Sequence, residues 1–470
     1  VDLASAMANK NSATLCVELE KGAGKTGSVV KSVNPAKSKI SECRVYRIRW
    51  LILFLFVLYS MANGMQWIQY SIIADVVTKY YSVSNFAVDL TSVIYMFTYI
   101  ILIFPGSWAL DKLGLRKAVL LGAFGTCFGS IVKLFSVHPT LFYVTFIGQT
   151  IVAISQVFIL SVPARLAAVW FGPSEVSLAC SIGVFGNQVG IAAGFLFPPT
   201  IVAPSENPDV VGARLQLMFN IVAAFTGILL VLLLIFFKDA PELPPSPAQA
   251  AQRACEPSGF GSSIKRLFMN PAYVLLLFSY GINVGVFYAI STLLNDVILG
   301  YFPGRQQDAG QIGLVIVIAG MVGSILCGII LDRTHNLSKE TTLVLYFLSL
   351  AGMILFTFTL GSGYLEVVYF TSGVVGFFMT GYLPVGFEFA TELTYPEPEG
   401  TSSGMLNASA QIFGIAFTMF ARLILNTFGD LWSNLSLCAA LVVGAGMTTI
   451  IKCDLRRQTE QVKNLPRPAV

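Results

Sequence analysis

The stretch "GSWALDKLGLRK" runs from Gly106 to Lys117, and "CGIILDRTHNLSK" runs from Cys327 to Lys339. Each sets an Asp just past a long apolar run, with a base directly behind it. Asp332 lies 221 positions after Asp111, and the same offset carries Pro163 onto Pro384, Gly64 onto Gly285 and Trp67 onto Tyr288. Agreement at one offset, with matching loop chemistry, reads as one unit written twice.

The surrounding sequence says what the unit is. Of 470 residues, 55% are hydrophobic and 11% charged, where soluble chains carry roughly 25% charged residues. Apolar runs of about 20 residues, enough to span a bilayer as helix, begin near Leu51, Leu90, Ala118, Leu141, Ala179 and Leu215. A second set begins near Ala272, Ile312, Thr342, Leu365, Ser403 and Trp432. The runs are continuous and do not alternate, so they read as helices and not as barrel strands. The expected fold is an all-α membrane protein with twelve transmembrane helices in two pseudo-symmetric six-helix halves, the major facilitator arrangement. Residues 1–48 are polar and read as a disordered cytoplasmic tail. The first half is expected over 49–238, a Pro-rich cytoplasmic linker over 239–268, the second half over 269–453 and a cytoplasmic tail over 454–470.

Lys and Arg set the expected orientation. One set of connections carries Lys112, Arg116, Lys117, Arg165, Lys238, Lys265, Arg266, Arg333 and Lys339, and the end of the chain adds Lys452, Arg456 and Arg457. The other connections carry scattered Lys79, Arg214 and Arg305. Both termini are therefore expected in the cytoplasm. The eight cysteines fall in spans or on that same side, so no structural disulfide is expected. A carboxylate at a helix end beside bases can bridge two halves when one face shuts. Asp111, Arg116, Asp332 and Arg333 are accordingly read as a cytoplasmic gate. Glu388, Glu392 and Glu399 either join it or are solvated.

The expected site follows from what the spans lack. By position along the sequence, charged residues fall near span ends, and an intramembrane charge is the usual mark of an ion-coupled site. Their absence from span centres favours uncoupled transport. What occupies the middle is aromatic and amide. "NGMQWIQYSII" (Asn63–Ile73) puts Trp67 deep in the first span, and the repeat puts Tyr288 at the matching place in the seventh. Gly64 and Gly285 precede them by one turn and allow bending or close approach. Gln156 interrupts the fourth span and Gln411 the eleventh. Aromatic faces hold quaternary ammonium groups, and a buried amide needs a hydrogen-bonding partner. The set describes a site for an organic cation with a polar tail. Asn63, one turn before Trp67, is expected on the same face, and Tyr95 of the second span is taken as a further contact. Gln66, Gln69 and Tyr70 either join the site or pack beside it; Asn187 and Gln188 likewise line the cavity or pack. Catalytic and metal-ligand constellations, HxxxH and CxxC among them, are not found. No enzyme activity, cofactor or nucleic-acid partner is expected.

"QWIQYSII", "VWFGPSEVS", "GMVGSILCGIILD" and "LPVGFEFATELTYPEPEGTSSGMLNASAQIFG" together resemble the feline leukaemia virus subgroup C receptor family of major facilitator transporters, over about Arg49 to Arg457. The Asp111–Lys117 loop resembles the superfamily's signature between its second and third spans. The resemblance implies a monomeric carrier of choline and ethanolamine in the plasma membrane, with a mitochondrial or endoplasmic reticulum membrane as the alternative. It implies a cation site at Trp67 and Tyr288, with Gln156 and Gln411 as polar contacts. Haem export has also been described for the family; axial His ligation would help it, and the only histidines are His138 and His335, both in expected loops. A receptor or scaffold with a vestigial pocket is the remaining alternative. The outer loop "VAPSENPDVVGAR" lacks the N-x-S/T sequence, so no role that depends on a glycan there carries over.

Overall fold

A computed structural model of the chain describes residues 44–160, 162–172, 175–245, 260–333, 338–394 and 399–452. The expected tails, up to residue 43 and from residue 453, lie outside the described residues, as does the linker over 246–259. Among the described residues, twelve helices are long and apolar enough to cross a membrane. Spans 1 to 6 cover Ile48–Tyr81, Asn85–Gly106, Leu115–Leu134, Phe142–Leu160, Leu178–Ile201 and Pro208–Phe236. Spans 7 to 12 cover Pro271–Tyr301, Gln306–Ile330, Lys339–Ser362, Leu365–Thr394, Thr401–Phe428 and Asp430–Ile450.

Local chemistry starts several of them. The first turn of a helix leaves backbone N–H groups without partners, and Ser or Asn side chains supply acceptors. Ser84 accepts from Ala87 N–H ahead of span 2. Asn207 accepts from Asp209 N–H, with Pro208 as the first helical residue of span 6. Asn270 accepts from Ala272 and Tyr273 N–H ahead of Pro271, while its own amide donates to Leu393 O. The expected linker is not loop throughout: Phe260–Phe268 forms a short helix just before Asn270. Asp239 does local work too, accepting from Arg116 N–H at the start of span 3.

The packing repeats with the sequence. Span 1 packs along span 5 and span 7 along span 11; spans 2 and 4 pair as 8 and 10 do, and 3 with 6 as 9 with 12. The two sets meet where span 5 packs on span 8 and span 2 on span 11. Spans 1 and 7 are the most enclosed, with 67% and 78% of their central windows buried against 33% for span 6. The repeated glycines explain how they get there. A Cβ on Gly64 would lie 2.8 Å from Asn187 O, and one on Gly285 would lie 2.7 Å from Phe413 Cβ. Each lets a central helix approach its partner backbone closely.

The repeat fails between spans 1 and 7. Span 7 is a single 31-residue helix. Span 1 is an α-helix only over Ile48–Ile68, then a 3-10 turn over Ser71–Ile73 and a short helix over Ala74–Tyr81. The break falls directly after Trp67.

Gly285→Val should destabilise the solubilised protein by about 1–3 kcal/mol through overpacking, read as a lower Tm. Gly446 has open space where a Cβ would go, so Gly446→Ala should stay within about 0.5 kcal/mol of the parent.

Candidate substrate site

Spans 1 and 7 begin on the face that carries residue 239, here the linker face, and end on the opposite, far face. Trp67 and Tyr288 meet between them. Their rings are 5.6 Å apart at 73°, an edge-to-face contact of ordinary geometry. The expected pairing across the halves is present, but the two rings touch, so in this state no cation fits between them. Gln411 Nε2 reaches the Tyr288 hydroxyl at 3.5 Å. A cavity of about 150 Å³ lies on the linker side of this contact. Tyr288 lines it, with Tyr280 and Phe287 of span 7, Ser60 of span 1, Asn187 and Gln188 of span 5, and Thr380 of span 10. Trp67 is not among its lining residues, and none of those residues is charged. Ser60 Oγ, Asn187 Nδ2, Gln188 Oε1 and Thr380 Oγ1 are buried with no protein partner. Asn187 and Gln188 are thus lining residues.

Gln156 breaks span 4. The α-helix Phe142–Ser155 stops there, and Val157–Leu160 resumes. Gln156 N–H turns to Ala153 O, and Ile159 N–H turns to Gln156 O. That frees the carbonyls of Val152 and Ser155, and span 1 supplies donors to both. Asn63 Nδ2 donates to Val152 O at 3.0 Å, and Tyr59 OH donates to Ser155 O at 3.4 Å. Asn63 was expected beside Trp67 as a cation contact. It faces spans 3 and 4 instead, because a carbonyl released inside the bundle needs a donor. The Gln156 Oε1 atom stays without a partner. Tyr95 is buried, its hydroxyl also lacks a partner, and it does not line the cavity.

The far side of the aromatic contact is closed by charge. Arg422 of span 11 donates to both carboxylate oxygens of Asp89 in span 2, the Nη2–Oδ1 bond being 2.8 Å, and also pairs with Asp296 of span 7. Arg422 is 2% exposed. Beside this clasp, Asp75 accepts from Asn295 at 3.1 Å and from Gln306 at 2.9 Å. Asp75 and Asp89 belong to the first six spans and their partners to the last six. Sequence position alone set these charges aside as span-end residues. The signal was their opposite sign in a chain with few charges, since a charge in this setting needs a partner.

The gate expected on the linker face is another matter. The side chains of Asp111, Asp332 and Arg333 lie outside the described residues. Arg116 is held within its own half, its guanidinium donating to Leu234 O at 3.0 Å. Lys133, at the end of span 3, is 1% exposed, and its ammonium reaches Gln66, the residue next to Trp67. Gln66 and Tyr70 face this lysine and not the cavity.

A membrane bundle of two similar halves around a central cavity is the build of an alternating-access carrier. The Major Facilitator Superfamily profile matches residues 52–451, and solved members share the fold at low identity. A bacterial homologue of the human lysosomal transporter Spinster, in an inward-facing and unoccupied conformation, aligns with TM-score 0.62 at 15% identity, over 87% of this chain and 95% of that one. The Escherichia coli fucose:proton symporter aligns with TM-score 0.59, also at 15% identity, over 87% of this chain and 100% of that one. Closer relatives include the choline/ethanolamine transporter flvcr2b of Danio rerio, 54% identical over 89% of this chain and 86% of the relative. FLVCR2 of Homo sapiens, which bears the same transporter name, is 50% identical over 91% of this chain and 81% of its own length. FLVCR1 of Felis catus is 50% identical over 87% and 73%. The chain belongs to the FLVCR family of the Major Facilitator Superfamily.

Arg422→Gln leaves two carboxylates without their cation, and breaking a buried pair costs about 3–5 kcal/mol. The far face should open more often. Thr292 is buried between Tyr288 and Asp296 along span 7. In a Thr292→Cys background, Arg422→Gln should speed modification by an impermeant thiol reagent at least about ten-fold. An unchanged rate would mean the clasp does not hold that face shut.

Proposed function

We propose that the chain is a facilitative, alternating-access carrier of choline and ethanolamine in the plasma membrane, with both termini cytoplasmic. The observation that carries this reading is an aromatic pair from spans 1 and 7 beside a small cavity with a neutral polar lining. A cation out of water can be met by ring faces at about 0.5–2 kcal/mol each. It can also be met by a fixed carboxylate, which would hold it longer. The lining here offers rings, amides and hydroxyls. Such groups bind a cation without requiring a second ion to release it.

On this orientation the linker face is inside, where the bases gather, and the Arg422 clasp closes the outside. The cycle then follows. When Asp89 and Asp296 part from Arg422, the halves separate at the outer face and Trp67 draws off Tyr288. The ammonium enters against the two ring faces. The alcohol meets an amide, and Gln156 is suited to this because its Oε1 has no protein partner. Reclosure of the clasp brings the rings together again and passes the cation into the cavity that Tyr288 lines. The partnerless atoms of Ser60, Asn187 and Gln188 serve its hydroxyl there.

Haem has no comparable support. The cavity is small, about 150 Å³. That suits an amino alcohol and not a tetrapyrrole. The relatives named as choline/ethanolamine transporters point the same way.

Labelled choline uptake by cells expressing the protein tests the reading. Trp67→Ala should lose at least about ten-fold in uptake at equal surface expression, consistent with about 1.4 kcal/mol or more of lost cation–π contact. Sodium removal should change nothing. Depolarisation by 100 mV removes about 2.3 kcal/mol of drive per positive charge and should lower accumulation. Strict sodium dependence would overturn the uncoupled mechanism.

A further inference from the structure

Lys133 has no place in that cycle, yet it is the lysine that the bundle buries beside the site. Its ammonium donates to Gln66 Oε1 at 2.9 Å and to Gln149 Oε1 at 2.5 Å, and it lies 5.5 Å from the centre of the Tyr70 ring. Among the described residues it forms no ion pair with a carboxylate. An ionisable group inside a membrane bundle marks a function by default.

What the charge does can be traced bond by bond. With both amide oxygens turned toward the ammonium, the Gln149 amide nitrogen points the other way. It donates to Gln66 O at 2.7 Å and to Thr91 O at 3.1 Å. The next carbonyl, Trp67 O, accepts from Ser92 Oγ at 3.1 Å. These two carbonyls belong to the last turn of the first helix of span 1, which ends at Ile68. A helix that stops inside a membrane must have its released carbonyls satisfied by side chains. Lys133 fixes the Gln149 rotamer that does this for Gln66 O, and Ser92 does it for Trp67 O. Tyr70, just past the break, is tied in twice: its ring lies by the ammonium and its hydroxyl meets Thr145 Oγ1 at 2.9 Å.

We propose that Lys133 is a positioning residue for Trp67, acting through Gln66 and Gln149 to hold the break in span 1 at the geometry that presents the indole to a cationic substrate. The proposal rests on Trp67 being a substrate contact. A carboxylate at that place would compete with Trp67 for a cationic substrate, and an amine donor does not.

The test is choline uptake kinetics on the full-length protein, with surface expression and Tm measured for every variant. Lys133→Met should raise the choline KM at least about ten-fold, with a smaller change in kcat. In a Trp67→Phe background the same substitution should change KM less than about two-fold, because the residue it positions is already altered. Gln149→Leu should reproduce both results, and it carries the test if Lys133→Met does not reach the membrane. Equal effects in the two backgrounds would overturn the proposal and leave Lys133 a packing residue. A wild-type KM for Trp67→Ala would instead sink the substrate-contact reading on which the proposal rests.

Discussion

A cation that crosses a bilayer inside a protein must be met by something, and whatever meets it must also let go. This constraint organises the centre of the molecule. Among the described residues that line the cavity none is charged, and charge is concentrated in two places around it. One is the Asp89–Arg422–Asp296 clasp on the far side of the aromatic contact. The other is Lys133, enclosed by Gln66, Gln149 and Tyr70. Both are engaged with protein partners, so neither offers a free carboxylate to the substrate. What remains for the cation is a ring, or two rings once the halves separate.

The polar atoms that find no partner sharpen this picture. Helical Ser and Thr hydroxyls usually turn back to the carbonyl four residues earlier, as Thr98, Ser130 and Thr226 do here. Ser60 and Thr380 do not, and both line the cavity. The carbonyls exposed by the break at Gln156 are claimed by Asn63 and Tyr59, while the Gln156 side-chain oxygen is left unclaimed. The bundle satisfies the carbonyls released at this break, and several of its partnerless polar atoms line the cavity.

Much of the fold was legible in the sequence, and the reasons are local. Twelve apolar runs and one offset of 221 residues gave the spans and the twofold pattern. The same offset paired Trp67 with Tyr288, and these rings meet. What sequence did not show depends on rotation about helix axes and on distance along the chain. Arg422 and Asp89 are 333 residues apart and meet only because spans 2 and 11 pack together. Lys133 sits at a span end by counting, but its long side chain reaches back to Gln66. Asn63 shares an ideal helical face with Trp67, yet a carbonyl released in span 4 draws its amide away. The break after Trp67 has no counterpart in span 7, so the repeat could not reveal it.

The central claim is that a positive charge, and not merely a small apolar shape, is recognised at Trp67 and Tyr288. Thermal stabilisation of the purified protein by choline and by its uncharged carbon isostere tests this most directly, with ethanolamine and haem alongside. Choline and ethanolamine should raise the Tm, and the isostere and haem should not. Equal stabilisation by choline and the isostere, or stabilisation by haem alone, would contradict it.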